Sequence, residues 1–302
     1  MTSNINSRVT ETNMVGSSET ICETTFKFEE YRKIMPIHKE KIDQNFLEYF
    51  VGLVEGSEPF LIDVGSSQVS FQIDHIKEDA KYLKKLRTKL GFGSIVQHPT
   101  STQTLVYTVS HEESLLKLIS ILNGNLCYIR QQERFKLFLE VFNKQHERSI
   151  ALKENKSKIS LDNAWLSGFI DARGLFSGHF KYYPEENQLP CDFRPPKGFL
   201  SFHISCDIVT LKQIRGLFVR ANNGMKNIKS RKNEGHDPTL EMGSKAFRKK
   251  IIPYIQEYKL KTYKSRIFQA WENVHTFLDD NDHEGLDKQG IKTMFKLLRR
   301  IR

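Results

Sequence analysis

Few residue patterns in this sequence stand at spacings that catalysis or metal binding would use. Cys22, Cys127, Cys191 and Cys206 form no CxxC pair and have no histidine at zinc-like spacing, so neither a disulfide framework nor a structural metal is indicated. The ten histidines show no HxxxH or HExxH spacing, and neither a GxxxxGK(S/T) phosphate loop nor a GxSxG elbow is present. The acidic run DDNDHEG (Asp279–Gly285) has the look of a calcium loop, but it lacks glycine at its sixth position and a distal bidentate Glu in register. What remains is a duplication: FLEYFVGLVEGSE (Phe46–Glu58) and AWLSGFIDARG (Ala164–Gly174) share one layout. Gly52 with Gly56, and Gly168 with Ala172, put small residues four apart on one helix face, so two such helices can approach with their backbones nearly touching. Two helices at equivalent places in two repeats suggest a pseudo-twofold seam.

The elements around these segments repeat as well. A strand-like stretch follows each: Phe60–Asp74, where Val69, Phe71 and Ile73 alternate, and Leu175–Tyr183, where Phe176, Phe180 and Tyr182 alternate. Amphipathic helices are expected at Asp79–Leu90 and Ile208–Val219. Pairs of strands then fall at Gly93–Ser110 and Gly224–Ser244, with helices at Glu112–Leu122 and Lys245–Tyr258. Each half reads helix, two strands, helix, two strands, helix, an α+β order. The second repeat carries extra residues, and the Pro-rich stretch Tyr183–Gly198 is their natural place, as a loop. More helix is expected at Arg130–Phe142, Arg266–Leu278 and Leu286–Ile301. The chain divides into an N-terminal extension (1–40), expected to be flexible, a first repeat (41–146), a polar linker (147–160) and a second repeat (161–302) with basic C-terminal helices.

Composition constrains the partner more than the fold. At 302 residues with 38% hydrophobic content and 21 Phe, the chain can build real cores. The net charge of +10 points to a polyanionic partner, and most of the surplus lies in the last quarter, where Lys226–Arg302 holds 18 basic and 10 acidic residues. No apolar run reaches the roughly 18 residues of a membrane span, so no membrane partner is expected. Residues 1 to about 25 contain Arg8 as their one basic residue, which fits a flexible tail better than an Arg-rich transit peptide; no clear presequence is visible.

The nine-residue stretches FVGLVEGSE (Phe50–Glu58) and LSGFIDARG (Leu166–Gly174) resemble the motif that names the LAGLIDADG homing endonucleases. LKTYKSRIF (Leu260–Phe268) and HEGLDKQGI (His283–Ile291) resemble closing segments of organellar, intron-encoded members, so the likeness runs from about Phe46 to Ile301. The resemblance implies two pseudo-symmetric αββαββα repeats whose four-stranded antiparallel sheets form a saddle over a duplex. It also implies that the eighth motif residue is a metal-binding acid in both copies. Here those positions hold Ser57 and Arg173. Serine has no charge to hold Mg²⁺ and a guanidinium repels it. Glu58 follows one position later, where the family usually has Gly, but one residue turns a helical side chain by about 100°. Glu55 and Asp171 match the motif's sixth, structural acid, expected to cap or pack locally.

From this pattern the chain is expected to be no enzyme and to need no cofactor, with Mg²⁺ required only if an active endonuclease is the correct reading. The expected partner is structured RNA in an organelle, the mitochondrion foremost. The role would be a ribosomal component contacting rRNA and possible ribosomal-protein neighbours, or a group I intron maturase, with a lean toward the ribosome. The alternative is a site-specific DNA endonuclease or a DNA-binding remnant. Strand alternation exposes Ser177, His179, Lys181 and Tyr183 on one strand and Asn227, Lys229 and Arg231 on another; Ser70 and Gln72 correspond in the first repeat. Lys and Arg there could neutralise phosphates while Tyr and His stack on bases. Arg130, Lys261, Lys264 and Arg266 are expected phosphate contacts, and Arg173 could itself attract a phosphate. The terminal KLLRRIR serves either RNA contact or solvation.

Overall fold

A computed structural model describes residues 25–35, 42–63, 65–66, 68–181, 197–219, 228–229, 237–280 and 288–301. The first repeat runs α2 (Gln44–Ser57), β1 (Phe60–Asp63), β2 (Gln68–Ile76), α3 (Ala80–Leu90), β3 (Ser94–His98), β4 (Ser101–Val109), α4 (Glu112–Leu122) and α5 (Ile129–Gln145), preceded by the short α1 (Glu29–Ile34). The second runs α6 (Trp165–Arg173), β5 (Leu175–Lys181), β6 (Lys197–Ser205), α7 (Ile208–Phe218), β7 (Ile228–Lys229), β8 (Thr239–Met242), α8 (Lys245–Glu257), α9 (Lys264–Asp280) and α10 (Lys288–Leu298). Each repeat holds one antiparallel sheet of four strands, ordered β1-β2-β4-β3 and β5-β6-β8-β7, so the duplication in sequence is a duplication in topology.

Alternation in the strands sets the two faces of each sheet. In β2, Val69, Phe71 and Ile73 point into the core while Ser70, Gln72 and Asp74 face outward; in β6, Leu200, Phe202 and Ile204 are buried between Ser201, His203 and Ser205. The stretch read as one strand from Phe60 to Asp74 is a hairpin. Its turn is held by the Asp63 carboxylate, which accepts from the Gly65 and Ser66 amides.

The centre of the molecule is the crossing of α2 and α6. Both helices are buried over nearly their whole surface, Phe46–Gly56 on one and Trp165–Asp171 on the other, which is why their sequences are apolar on every side. A Cβ added at Gly52 would lie 1.9 Å from the Trp165 carbonyl oxygen, and one at Gly168 would lie 1.9 Å from that of Tyr49. Gly56 faces the Cβ of Ala172. The seam expected from the small residues is therefore the contact between the repeats.

The chain outside the repeats is partly fixed to them. Within the expected N-terminal extension, Phe26, Phe28 and Tyr31 are buried in the core, and the Tyr31 hydroxyl donates to the Leu90 carbonyl. The linker has no helix or strand, yet the Asn123 side chain bonds the backbone of Ala151 and Lys153, and Asn155 accepts from the Leu126 amide. It is strapped along the first repeat.

Gly168→Ala should destabilise the protein by about 3 kcal/mol or more, because a methyl driven into a carbonyl forces two helices apart. Gly216 on α7 has nothing within 4 Å of an added Cβ, so Gly216→Ala should gain about 0.5–1 kcal/mol. Urea denaturation of the two variants checks both values. Equal midpoints would show that the seam is not in close contact.

Candidate nucleic-acid interface

The sixth-position acids do what a buried carboxylate must do: they collect donors. Glu55 accepts from the amides of Cys127 and Tyr128 just beyond α4, and from the indole N–H of Trp165 across the seam. Asp171 accepts from the amides of Lys261 and Thr262 just beyond α8, from the Thr262 hydroxyl, and from the Tyr49 hydroxyl across the seam. The pattern is reciprocal. Each acid ties down the segment that closes its own repeat and takes one hydrogen bond from the aromatic residue of the other motif helix. Burial pushes the Glu55 carboxyl up to about 8, outweighing the donors that pull it down, and burial raises Asp171 as well.

At the eighth motif positions the two repeats differ. The Ser57 hydroxyl is turned back to the Leu53 carbonyl at 2.7 Å. Arg173 is mostly buried, and its guanidinium donates to the Gly56 and Ser205 carbonyls and to the carboxylates of Glu58 (2.5 Å) and Asp237 (3.4 Å). Glu58 reaches this place because it has left the helix: it is the C-cap of α2, with φ 52° and ψ 53°, before Pro59. A left-handed backbone there is what glycine adopts most easily, so Glu58 holds it at a cost of about 1–2 kcal/mol. Its carboxylate also meets Arg130 and Arg134, and Arg130 bonds both oxygens of Asp237. Three guanidiniums thus surround two carboxylates, and Arg173 and Arg130, expected as phosphate contacts, are spent on internal partners.

Beside this cluster a pocket of about 320 Å³ opens at the feet of α2 and α6, lined among others by Ser57, Glu58, Asp74, Asp171 and Lys264. Lys264 donates to the Ile170 and Ala172 carbonyls at the C-terminal end of α6, and burial pushes its ammonium down to about 8. By its place after the amides that bind the motif acid, Lys264 is the counterpart of Arg130 in the first repeat. Asp171 already has its donors, and Asp79 accepts from the Tyr263 amide and bonds the His75 ring. Among the described residues no group of three or more His, Cys, Asp or Glu stands together as a metal site. At the eighth motif positions themselves Ser57 carries no charge, and Glu58, the acid beside it, is paired with Arg130, Arg134 and Arg173.

Of the expected sheet residues, His179 faces outward on β5 and stacks on Phe199, with ring centroids 4.9 Å apart. Lys229 on β7 pairs with Glu241. The side chain of Lys181, at the end of β5, and all of Tyr183, Asn227 and Arg231 lie outside the described residues. Arg266 is exposed on α9, and Lys261 lies with its ammonium 3.9 Å from the centre of the Tyr49 ring. Of the polar ladder on the outward face of the second sheet, sequence reasoning named Ser177 and missed its partners Ser201 and His203, which bond it and one another, and the Ser205–Thr239 pair. Burial lowers the His203 imidazole, which keeps it neutral at pH 7. The alternation of Leu200, Phe202 and Ile204 with these polar residues was the available signal.

A family model described as LAGLIDADG endonuclease matches residues 50–142 and 166–275. Over 238 residues, 79% of this chain, the sequence is 30% identical to a probable intron-encoded endonuclease 4 of Neurospora crassa, but it spans only 41% of that protein's length. It is 28% identical over 144 residues, 46% of this chain and 21% of the relative, to the intron-encoded RNA maturase bI4 of Saccharomyces cerevisiae. It is also 24% identical over 267 residues, 87% of this chain and 75% of the relative, to an uncharacterized cox1 intron-2 protein of Schizosaccharomyces pombe. The fold matches that of the LAGLIDADG homing endonuclease I-GzeII solved with its DNA target (TM-score 0.62, 19% identity, 86% of this chain and 98% of that one). These findings overturn the expectation that the chain is no enzyme: the matching family is one of endonucleases, and a relative aligned with most of the chain bears that name. The two substitutions at the eighth positions were too narrow a basis for it. Among the described residues no helix is long and apolar enough to cross a membrane.

The buried acids give the fold a pH signature. The folded Glu55 carboxyl holds its proton up to about 8 and the unfolded one releases it near 4.5, so its contribution to stability is fully present below 4.5 and lost as pH rises through 8. Glu55→Gln should cost about 2 kcal/mol at pH 5 by turning an amide N–H toward the Trp165 indole. It should also flatten the fall in stability between pH 5 and 9, leaving whatever slope the raised Asp171 contributes. Melting curves across that range test this, and an unchanged slope in the variant would rule Glu55 out as its source.

Proposed function

The chain belongs to the LAGLIDADG endonuclease family, and from that premise we propose that it acts on double-helical DNA at a specific site, seating the duplex across the outward faces of its two sheets. The observation that carries this reading is the matched pair of four-stranded sheets, alike in strand order and joined at the α2–α6 crossing. A protein with twofold symmetry suits the two half-sites of a duplex, and strands can enter the major groove. The outward residues are suited to base edges: Ser70, Gln72 and Thr108 on the first sheet, and Ser201, His203 and Thr239 on the second, offer hydroxyl, amide and imidazole groups instead of bulk charge.

The setting that goes with this reading is an intron-encoded protein of the mitochondrion, in keeping with the names of the relatives. A second role on intron RNA is favoured by the likeness to an RNA maturase over 46% of the chain. The ribosomal role draws no support from the relatives named above.

The test is selection from a library of random duplexes with Mg²⁺ or Mn²⁺ present, reading retained and cut molecules separately. One extended sequence family should be enriched, with cuts inside it. Retention without sequence preference, rising and falling with salt alone, would overturn the proposal.

A further inference from the structure

Among the described side chains, the basic surplus of this chain lies off its sheets. The four strands of the first sheet, FLID, QVSFQIDHI, SIVQH and STQTLVYTV, contain no Lys or Arg. Among the described side chains of the second sheet the one such residue, Lys229, is paired with Glu241. The helix α3, AKYLKKLRTKL, has the opposite character: five basic residues and no acid. Its apolar residues Tyr82, Leu83, Leu86 and Leu90 face the core on which the sheet also packs, so the exposed Lys81, Lys85 and Lys89 point away from the sheet's outward face. They stand four apart, one per turn, about 6 Å along the helix axis.

A second basic segment lies opposite this row. Residues 259–266, KLKTYKSR, hold four basic residues and no acid, and the Tyr263 amide fastens this segment beside α3 by donating to Asp79, 184 positions away in sequence. Between the two runs a groove of about 800 Å³ is lined by Lys81, Lys85, Lys89, Lys259, Lys261 and Arg266, against the two acids Glu78 and Asp79. Asp79 is buried and already bonded. The Lys and Arg ion pairs of the described residues lie elsewhere, at Glu30, Glu58, Glu112, Glu154, Asp237, Glu241 and Asp279, and none of these six cations is in an ion pair with a carboxylate among those residues. Lys261 feels the opposite charges of Asp171 and Asp43 and has Lys89 and Lys85 as like-charged neighbours. Asp79 and Tyr263 also line the smaller pocket at the helix feet, so they form the partition between that pocket and this groove.

We infer that this groove binds the phosphate backbone of single-stranded nucleic acid, at a site separate from the sheets. Two facing rows of cations a few ångströms apart along the chain direction match a flexible strand lying between them, as in grooves that track a backbone by charge. A duplex carries its phosphates on a convex cylinder and would touch one rim. The half-buried Tyr263 offers a ring at the edge on which a base can stack.

The experiment measures fluorescence anisotropy of an unstructured RNA, the DNA strand of the same sequence, and a duplex, with three forms of the full chain. These are the parent, Lys85→Glu with Lys259→Glu in the groove, and Lys136→Glu with Lys144→Glu, an equal charge change on exposed positions of α5. Circular dichroism confirms that all three are folded. The parent should bind single strands with a marked salt dependence. The groove pair should lose about tenfold or more in affinity and about one unit of the slope of log K against log salt, while the α5 pair loses less than about threefold. Tighter binding of RNA than of the DNA strand assigns the source to RNA, and equal binding assigns it to the backbone alone. Duplex binding should persist in the groove pair, which keeps this result distinct from the fate of the duplex proposal. Absence of single-strand binding by the parent, equal loss in both pairs, or parallel loss of duplex binding in the groove pair would overturn the inference.

Discussion

Everything in this molecule depends on two helices crossing at backbone contact. Gly52 lies against the Trp165 carbonyl and Gly168 against that of Tyr49, with no room for a methyl group at either place. That distance fixes how the two repeats sit, and hence the relation between the two sheets. It also brings each motif acid within reach of the opposite helix, where Tyr49 meets Asp171 and Trp165 meets Glu55. The buried carboxylates do not oppose this packing, because each takes one of its hydrogen bonds from across that same approach. Each also accepts backbone amides from the segment closing its own repeat, so the seam organises the periphery as well as the centre.

The same geometry accounts for the fate of the eighth motif positions. With the helix ends so close, a guanidinium on one helix must find carboxylates or remain as an uncompensated charge. Arg173 finds Glu58, displaced from the helix by a left-handed turn, and Asp237, delivered just before β8. Arg130 joins them from the first repeat. The result is a network in which Arg173 and Arg130 each share Glu58 and Asp237, so that removing either acid leaves both guanidiniums short of a partner.

Much of this was legible in the sequence because it is written in period and size. Small residues four apart announced the seam, alternating Val69, Phe71 and Ile73 announced a sheet, and duplication announced the symmetry. What the sequence concealed depends on distance across the fold. Nothing local marks Asp237 as the partner of Arg130, 107 positions away, or the 259–266 segment as the far wall of a groove begun by α3. Glu58 shows a different limit. Treated as one more helical residue it points the wrong way, and only the break in the helix before Pro59 turns it toward Arg173. The substitutions at Ser57 and Arg173 were read correctly as residues, yet they did not carry the conclusion about activity drawn from them.

The reciprocal pairing across the seam has a consequence for the two halves as separate objects. Glu55 is completed by an indole and Asp171 by a phenol, so the first half presents a phenol with a glutamate and the second an indole with an aspartate. A shorter acid meets the longer reach of a hydroxyl, and a longer acid meets the ring nitrogen. Two copies of the same half would bring together a mismatched length at both sites. The repeats are equivalent in topology, but their buried pairs differ in length, a long acid with a short-reaching indole and a short acid with a long-reaching phenol, so the two halves are complementary without being interchangeable.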